Sequence, residues 1–388
     1  MKTVNLRISD LRKNKKATQQ EVADAVGVSY QTVSKWETQN SMPDITLLPA
    51  LAEFFGVTTD QLLGLVPLAG EVYVPEKSGS REFWADRADY LLRTRNSFWN
   101  VDYLEFLIRK VWKIDRPVKM LDCGCGFGSL GLLMLPLLPE GSTYTGIDFS
   151  ENLIELGKQL FEERKLNAVF HCTDVFDYPA QNSYDLVICQ AVMRHLDSPA
   201  AFLRKMIGFG KPGSLIVSID VNREFEHDGL CIHGMDYEEL CRHEALSKKW
   251  RTELNMQGRD YAFCMRTGCV MEQLGLEQID VRVQDKAEFV SPRLPDYEQR
   301  KADFLSANGW DSLPSEKERE EIIKSLISRG ASRKEAEAYC ERNVKITEFF
   351  AQHPDASYTF TRALLITFGR KAQLCSSGRH EKCVIEKS

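Results

Sequence analysis

Two carboxylates flanking a glycine-rich loop are the residues of this sequence best suited to hold a charged ligand. An apolar strand reaches Asp122, the loop after it contains Gly124, Gly126 and Gly128, and a second strand ends in Asp148. Glycines let the backbone approach a ligand closely, and a carboxylate after the second strand can accept hydrogen bonds from both hydroxyls of a ribose. The spacing predicts a nucleotide-cofactor pocket at the carboxyl edge of a parallel sheet.

The order of residues in the loop narrows the choice of cofactor. A dinucleotide fingerprint, G-x-G-x-x-G, sets a diphosphate on a helix N-terminus. This loop reads D-x-G-x-G-x-G, and its carboxylate would repel a diphosphate but attract an ammonium or a sulfonium. The loop alone leaves a dinucleotide site and a purely structural glycine turn as alternatives.

This loop resembles the first motif of the class I S-adenosylmethionine-dependent methyltransferases, and the resemblance implies S-adenosylmethionine as cofactor. It places Asp122 by the methionine amino group, with the loop glycines beside it, and Asp148 at the ribose hydroxyls. Further cofactor contacts are implied at the ends of the later strands, from Phe149, Asp174 and Val175 around the adenine and from Gln190 beneath the methionine arm. Asp174 could equally be a helix cap, and Gln190 a polar group at the sheet edge.

The part of the sequence from residue 81 alternates strand-like and helical segments. Seven strand candidates lie between residues 118 and 369, with helices between the first five. This pattern favours an α/β fold, a doubly wound seven-stranded Rossmann-like methyltransferase domain over residues 81–371. The last two strands lack a short crossover helix, which agrees with the antiparallel edge that the family carries. A helical insertion at about 290–357 is expected to cap a substrate pocket, to build a dimer face or to be a solvated bundle, and residues 372–388 form a polar tail.

Residues 1–66 are predicted to form an all-α helix-turn-helix domain, followed by a linker at 67–80. Thr18 and Glu21 form a capping box that opens one helix, Gly27 ends it, and Ser29 caps the next. Two helices joined by a tight glycine-containing turn are a helix-turn-helix. Over about sixty residues this pattern is similar to the Cro/phage-repressor (XRE-type) family of DNA-binding domains.

The second resemblance implies that DNA is a partner of the N-terminal head. The second helix of the pair would enter the major groove, with Tyr30, Gln31 and Lys35 facing base edges and Gln19 reaching a phosphate. A nearby basic cluster would add salt-sensitive attraction to the DNA backbone, or its lysines could form a solvated face; it comprises Arg12, Lys13, Lys15 and Lys16. One head reads few bases, so a homodimer over a two-fold site is expected.

The segment after the fourth strand bears on the methyl acceptor. It reads CQAVMRHLDSP, without an N/D-P-P-Y/F motif for a flipped amino base or a Pro-Cys nucleophile for cytosine. We therefore expect a small-molecule acceptor rather than DNA. His195, His227 and His233 are candidate general bases, although His195 could simply pack in the fold. Histidines and cysteines after the fifth strand lack a recognised zinc spacing, so no metal is predicted.

The composition supports two domains and excludes several classes of protein. A chain of 388 residues suits one small and one large domain. It contains no apolar run long enough to span a membrane, and its N-terminus lacks an apolar signal core, so a cytoplasmic location is expected. The eleven cysteines lack framework spacing and are expected to be reduced. With a net charge of −6, any nucleic-acid contact must come from a local patch.

Three hypotheses about function follow. The first is a DNA-binding regulator fused to a methyltransferase that modifies a small molecule. The second is a transcription regulator whose methyltransferase fold only senses S-adenosylmethionine. The third is a nucleic-acid or protein methyltransferase that the head targets to its site.

Overall fold

The computed structural model describes residues 6–65, 68, 72–75, 84, 87–95, 98–180, 182–241 and 243–373, except for the side chains of Glu224 and His227. These residues belong to two compact units. Most of the predicted linker at 67–80 and nearly all of the predicted tail at 372–388 lie outside the described residues. In the part of the chain that is described, no helix combines the length and the apolar character needed to cross a membrane.

The first unit contains the head, which within residues 6–65 is a bundle of short helices. These are α1 (Ile8–Lys15), α2 (Gln19–Val26), α3 (Tyr30–Glu37), α4 (Leu48–Phe55) and α5 (Thr59–Leu62), with a 3-10 turn at Ile45–Leu47. The predicted capping box of Thr18 and Glu21 is present at α2, and the Ser29 hydroxyl accepts from the amide of Thr32 at α3. Apolar faces of the helices meet in a core around Val22, Val33, Trp36, Leu51 and Leu62.

An internal ion pair ties α1 to α3. The Arg12 guanidinium donates to both carboxylate oxygens of Glu37, from Nε at 2.5 Å and from Nη2 at 2.9 Å. Gln19 Nε2 donates to the same carboxylate at 2.8 Å. Burial raises the pKa of Glu37, but the hydrogen bonds from Arg12 and Gln19 outweigh burial and hold that pKa below its ordinary value. Arg12 belongs to the predicted basic cluster, but its guanidinium is ion-paired with Glu37 and therefore stabilises the fold.

Two segments distant in sequence also belong to the first unit, His243–Lys249 and Pro314–Glu341. They include helix Glu316–Ile327, the first part of helix Arg333–Gln352 and the start of helix Glu244–Gln257. Their core contains Ala245, Ile323, Leu326, Ala336 and Cys340. Part of the insertion that the sequence places in the methyltransferase domain thus clusters with the head.

The second unit is built on a seven-stranded sheet. Its strands are β1 (Lys119–Cys123), β2 (Thr143–Asp148), β3 (Ala168–Cys172), β4 (Tyr184–Gln190), β5 (Gly210–Val221), β7 (Leu276–Val283) and β10 (Leu364–Lys371). Their order is β3-β2-β1-β4-β5-β10-β7, and β1 to β5 run parallel. Strand β10 runs antiparallel to both β5 and the edge strand β7, so the last two strands form the antiparallel edge that the sequence predicts.

Helices connect the strands and pack on both faces of the sheet. They are Ala88–Arg95, Val101–Phe106 with a π turn at Leu107–Val111, Ser129–Met134, Glu151–Glu163, Pro199–Phe209, Arg223–Asp228, Tyr237–Leu240 and Thr267–Gln273, with 3-10 turns at Met193–His195 and Phe263–Met265. Two separate cores, one on each face, contain the buried residues of the sheet. This agrees with the predicted doubly wound α/β fold.

A second, smaller sheet was not foreseen. It pairs β6 (Leu230–Ile232), β9 (Tyr358–Thr361) and β8 (Ala287–Val290) in antiparallel fashion. Helix Tyr297–Asn308 packs over it, with Phe304 stacked on Tyr358 at a centroid distance of 4.2 Å. The predicted insertion itself is helical, with helices Tyr297–Asn308, Glu316–Ile327 and Arg333–Gln352, and β8 and β9 flank it at its two ends. The three strands of the small sheet are short and far apart in sequence, and local periodicity does not reveal such pairing.

We expect Glu37→Gln to weaken the packing of α1 on α3 by about 1–3 kcal/mol, because it leaves the Arg12 guanidinium without its anion. The folded pKa of Glu37 lies below its unfolded value, so its stabilisation is present at neutral pH and is lost as the pH falls through the folded pKa. Amide hydrogen exchange in the full chain should be faster across α2 and α3 in the variant at about pH 7, and the difference should shrink near about pH 4.

Glu53→Gln, which alters an exposed glutamate of α4, is the matched control. Equal exchange in the two variants at neutral pH would contradict the assignment.

Candidate functional site

A cavity of about 740 Å³, part of which is open to solvent, lies at the carboxyl ends of β1, β2 and β4. It lies in the crevice where ligands of open α/β sheets bind. The lining residues are Trp84, Leu91, Arg95, Asp122, Gly124, Cys125, Gly126, Phe127, Ser129, Leu130, Asp148, Phe149, Leu153, Gln190, Ala191, Val192, His195 and Leu196. Of the predicted cofactor residues, the structure brings together Asp122, the loop residues Gly124 and Gly126, Asp148, Phe149 and Gln190.

Asp122 is buried at the inner end of the cavity, with 1% of its surface exposed. Its Oδ2 accepts a hydrogen bond from the Tyr144 hydroxyl at 3.0 Å, and its Oδ1 has no hydrogen-bond partner among the described residues. Burial raises the pKa of Asp122 to about 7, against the hydrogen bond from Tyr144 and with the added repulsion of Asp148. A buried carboxylate with an unsatisfied oxygen is a fitting partner for a ligand ammonium.

Asp148 fixes the loop as well as facing the cavity. Its Oδ2 accepts from the amide of Gly126 and its Oδ1 from the amide of Ser150, each at 2.9 Å. Burial raises the pKa of Asp148, although these backbone donors partly offset the effect. The carboxylate oxygens can accept further bonds, as ribose hydroxyls require.

Two loop positions require glycine on steric grounds. A Cβ on Gly124, at a φ of 74°, would lie 2.7 Å from the Val192 side chain. A Cβ on Gly128, at a φ of 80°, would lie 2.8 Å from Phe161. Both positions combine a left-handed backbone with close neighbours, so the loop stays close against the sheet and leaves the cavity open.

Gln190 is held by Trp99, which lies far upstream in sequence. Trp99 Nε1 donates to Gln190 Oε1 at 2.7 Å, and Trp99 is buried. The next residue, Ala191, adopts a left-handed φ of 59°, an unusual conformation for a residue with a Cβ. Such strain is common at binding sites, and here it turns the chain at the end of β4 toward the cavity.

His195 lies at the cavity wall, but its lone pair is engaged. Arg194 Nε donates to His195 Nε2 at 3.1 Å, and Trp84 packs edge-on against the imidazole at 5.3 Å. Burial lowers the pKa of His195 well below its ordinary value, and nearby arginines, Arg194 first, lower it further. This geometry disfavours the predicted general-base role of His195, because its Nε2 already accepts a hydrogen bond from the Arg194 guanidinium.

Other predicted residues lie elsewhere. Asp174 does not line the cavity; its Oδ1 accepts from the amide of Phe176 at 2.8 Å, so it caps a turn and not the helix that the sequence offered as the alternative. Val175 is buried in the core on one face of the sheet. His233 is exposed at the end of β6, where its amide donates to Ser357, so it does not reach the cavity. His227 lies in helix Arg223–Asp228, and its side chain is outside the described residues.

Among the lining residues that the sequence did not single out, Trp84 and Arg95 bring an aromatic ring and a cation to the cavity. They come from the helical region before β1, which carries no motif. Only the packing of that region over the sheet brings them to the cavity, and local sequence contains no signal for it.

The predicted DNA-reading residues lie on or next to α3. Tyr30, Gln31 and Lys35 are exposed, with Tyr30 at 51%. An exposed large aromatic at the start of a second helix is available for contact with a partner. Gln19 is only partly exposed, since its amide donates to Glu37.

Comparison with known proteins supports both halves of the chain. Residues 114–288 match the family model described as a methyltransferase domain, and residues 8–62 match the model described as helix-turn-helix. Both resemblances found in the sequence are confirmed: the chain carries an XRE-type helix-turn-helix domain followed by a methyltransferase domain. The methyltransferase domain is the part of the chain for which the sequence predicts S-adenosylmethionine as cofactor.

Curated relatives include ubiquinone biosynthesis O-methyltransferases from Coxiella burnetii (strain Dugway 5J108-111) and Rhodopseudomonas palustris (strain BisB18). Each is 32% identical over 120 residues; the alignments cover 30% of this chain and 50% of the first protein, and 31% and 46% for the second. The chain thus spans about half the length of the curated relatives it matches.

Among solved structures, the phosphoethanolamine N-methyltransferase 2 of Haemonchus contortus is 15% identical, with a TM-score of 0.41 and coverage of 76% of this chain and 61% of that chain. The plantazolicin methyltransferase BpumL in complex with S-adenosylhomocysteine is 18% identical, with a TM-score of 0.38 and coverage of 76% and 95%.

We expect Tyr144→Phe to raise the pKa of Asp122 above about 7, because the variant removes a hydrogen bond that stabilises the carboxylate. If Asp122 holds the ligand ammonium, affinity for S-adenosylhomocysteine falls as the pH drops through the pKa of Asp122. That fall should begin at a higher pH in the variant. Calorimetric titrations between about pH 6 and about pH 8.5 measure it.

Tyr184→Phe is the control, since it removes a tyrosine hydroxyl that bonds Tyr178 at 2.9 Å away from the cavity. Identical pH profiles for wild type and both variants would exclude Asp122 as the ammonium partner.

Proposed function

We propose that this protein binds DNA through its head and catalyses S-adenosylmethionine-dependent methylation of a small molecule. The observation that supports the enzymatic half is the cavity in which Asp122, Asp148 and Gln190 meet the glycine loop at the carboxyl edge of the sheet. Each presents the polar group that one part of this cofactor needs. The domain order adds the regulatory half, in which the head places the protein on DNA.

When bound, the cofactor supplies an electrophilic methyl group on a sulfonium. The chain's own residues then bind, orient and exclude water. Asp122 would hold the ammonium, Asp148 the ribose hydroxyls, and Phe149 would cover the adenine. Gln190, fixed by Trp99, would lie beneath the methionine arm, and Trp84 and Leu91 would shield the cavity from solvent.

Two observations favour a small molecule as acceptor. The turn after β4 holds Val192, Arg194 and His195 and lacks the motifs that hold a flipped base. The curated relatives are named for O-methylation in ubiquinone biosynthesis, which is small-molecule chemistry. An oxygen nucleophile on a metabolite is therefore the acceptor that we favour.

A sensor that binds the cofactor without turnover is the second candidate, and one observation favours it. Nε2 of His195, the one histidine among the described residues that line the cavity, is already engaged by Arg194. Incubation with methyl-labelled cofactor and a metabolite extract separates the two functions. Transfer of label to a small molecule supports the enzyme, and tight binding of S-adenosylhomocysteine without any transfer supports the sensor.

Asp148→Asn should weaken S-adenosylhomocysteine binding by about 10- to 100-fold, because an amide is a poorer acceptor for two hydroxyls than a carboxylate. Isothermal titration calorimetry measures the change. Asp177→Asn, at an exposed aspartate beyond β3, should bind like the wild type. An unchanged affinity in Asp148→Asn would remove the ribose contact from the proposal.

Gln31→Ala should weaken binding to an operator selected from random DNA by about 5- to 100-fold and relax the base preference at one position in each half-site. Gln20→Ala, at an exposed glutamine of α2 that bonds Asp24, serves as control. Loss of affinity that is equal for all sequences would instead indicate a backbone contact.

The same operator provides the test of regulation and of the homodimer. If the methyltransferase domain regulates the head, saturating S-adenosylhomocysteine changes the affinity of the protein for the operator. The operator then changes the affinity of the protein for S-adenosylhomocysteine by the same factor. Unchanged operator affinity would show that the domains act independently. Sedimentation of the protein with one half-site and with two tests the homodimer.

A further inference from the structure

A group of arginines lies around His195 and Arg95, two residues that line the cavity. We name it the arginine cluster; its members are Arg95, Arg194, Arg223, Arg259 and Arg362. Four of them act on His195, lowering its pKa, and Arg362 acts with Arg194 on Arg95. They come from five separate segments of the second unit, so only the fold brings them together.

Carboxylates balance part of this charge. Glu226 pairs with Arg223, and also accepts from Arg362 Nη1 at 3.3 Å. Glu253 lies 3.8 Å from Arg259. Asp220, at the end of β5, accepts from the backbone amides of Arg194 and Val221. Among the described side chains, the five arginines thus face three carboxylates, an excess of two positive charges.

Arg194 carries part of the excess. It is 7% exposed, and its Nη1 has no hydrogen-bond partner among the described residues. Its Nε is used to hold His195 at the cavity wall. A buried guanidinium nitrogen without an acceptor is costly, and proteins retain such groups where a ligand supplies the acceptor.

Arg95 carries the rest and lines the cavity itself. Its guanidinium lies 4.6 Å from the centroid of the Phe98 ring, and the guanidinium of Arg362 lies 5.1 Å from the same centroid. Burial lowers the pKa of Arg95 to about 9, and repulsion by Arg194 adds to the effect. An aromatic ring shared by two cations offsets only part of the desolvation, so an anion is still needed here.

We propose that the methyl acceptor is an anion, bearing a carboxylate or a phosphate in addition to its nucleophilic atom, and that Arg95 binds that anion at the cavity wall. Arg194 is a positioning residue that holds His195 beside it and adds the second positive charge. This inference rests on the proposed methyltransferase function and specifies its substrate class.

The cofactor's own carboxylate is the competing source of the anion. It can balance only one of the two excess charges, and the cofactor also brings an ammonium and a sulfonium. The described side chains therefore leave one positive charge for a second anion when the cavity is filled. The planar guanidinium fork is well suited to a carboxylate or phosphate, which it can bind through two parallel hydrogen bonds.

The test uses the full chain saturated with S-adenosylhomocysteine and three probes, benzoate, phenyl phosphate and the neutral benzamide. We expect benzoate or phenyl phosphate to bind at least about tenfold more tightly than benzamide. Arg95→Gln should remove about tenfold or more of that binding, and Arg95→Lys should lose less, because the charge remains and the fork is lost. Arg109→Gln, at an exposed arginine paired with Glu105, is the control and should behave like the wild type.

Arg194→Gln provides an independent readout. It should weaken the anionic probes and raise the pKa of His195 toward its ordinary value, as followed by the imidazole proton resonances. If Arg194 served only the fold, the variant would lose thermal stability, and the pKa of His195 would stay as far below that of an unfolded histidine as in the wild type.

Equal binding of benzamide and both anions by the wild type would overturn the proposal. So would Arg95→Gln weakening S-adenosylhomocysteine while leaving benzoate and phenyl phosphate unchanged, since Arg95 would then serve the cofactor's carboxylate. Failure of the wild type to bind S-adenosylhomocysteine at all sinks the methyltransferase function. The anionic probes, titrated without it, still decide whether Arg95 is an anion site.

Discussion

The buried carboxylate of Asp122 is the constraint around which the second unit is organised. The residue sits on β1, the strand that forms first-neighbour pairs with both β2 and β4, and burial holds its pKa near 7. Tyr144 satisfies one oxygen, and the other faces the cavity without a partner among the described residues. Leaving a buried acceptor unsatisfied opposes folding by about 1–3 kcal/mol, and a cationic ligand recovers that energy on binding. The glycine loop, the placement of Asp148 and the turn after β4 all shape the space in which such a ligand meets Asp122.

Features determined by local chemistry were predictable from the sequence, and features determined by packing were not. The glycine loop, the carboxylate ending β2 and the capping box at α2 depend on residues within a few positions of one another, so their patterns are visible in the chain. Arg95 and Trp84 reach the cavity only because the helices before β1 fold over the sheet. Arg12 has the composition of a DNA-contacting residue, yet it pairs with Glu37, which lies in another helix and is invisible to a local pattern. Asp174 shows that a family motif can also mislead. The resemblance assigns this aspartate to the cofactor, whereas its carboxylate caps a local turn by accepting from the amide of Phe176.

In the head, the internal ion pair of Arg12 and Glu37 stabilises the fold, whereas the exposed charged and polar side chains of α3 are available for DNA. Arg12 and Glu37 have side chains exposed by only 17% and 7%, so their attraction is less screened than that of surface lysines. Gln19 joins the same network and thereby fixes the start of α2 against the end of α3. The residues left exposed on α3, Tyr30, Gln31 and Lys35, are then carried on a helix whose orientation is set from behind. A reading helix needs that rigidity, because base contacts depend on positions within a few tenths of an ångström.

Acidic and basic side chains both line the cavity, and their placement bears on how the proposed reaction could proceed. Asp122, on β1, supplies negative charge where the proposed cofactor brings its ammonium, and Asp148, on β2, supplies acceptors for the ribose hydroxyls. The arginine cluster, carried by segments after β4 and β5 and by the helix before β1, supplies positive charge where the proposed acceptor binds. Methyl transfer from a sulfonium removes a positive charge from the centre of the cavity, so fixed charges that suit both ends need not reorganise during the reaction. The engaged lone pair of His195 fits the same arrangement: beside a cluster of cations, an acceptor hydroxyl is more acidic than in water and needs a weaker base. In this proposal, Asp122 orients the methyl donor and Arg95 orients the acceptor.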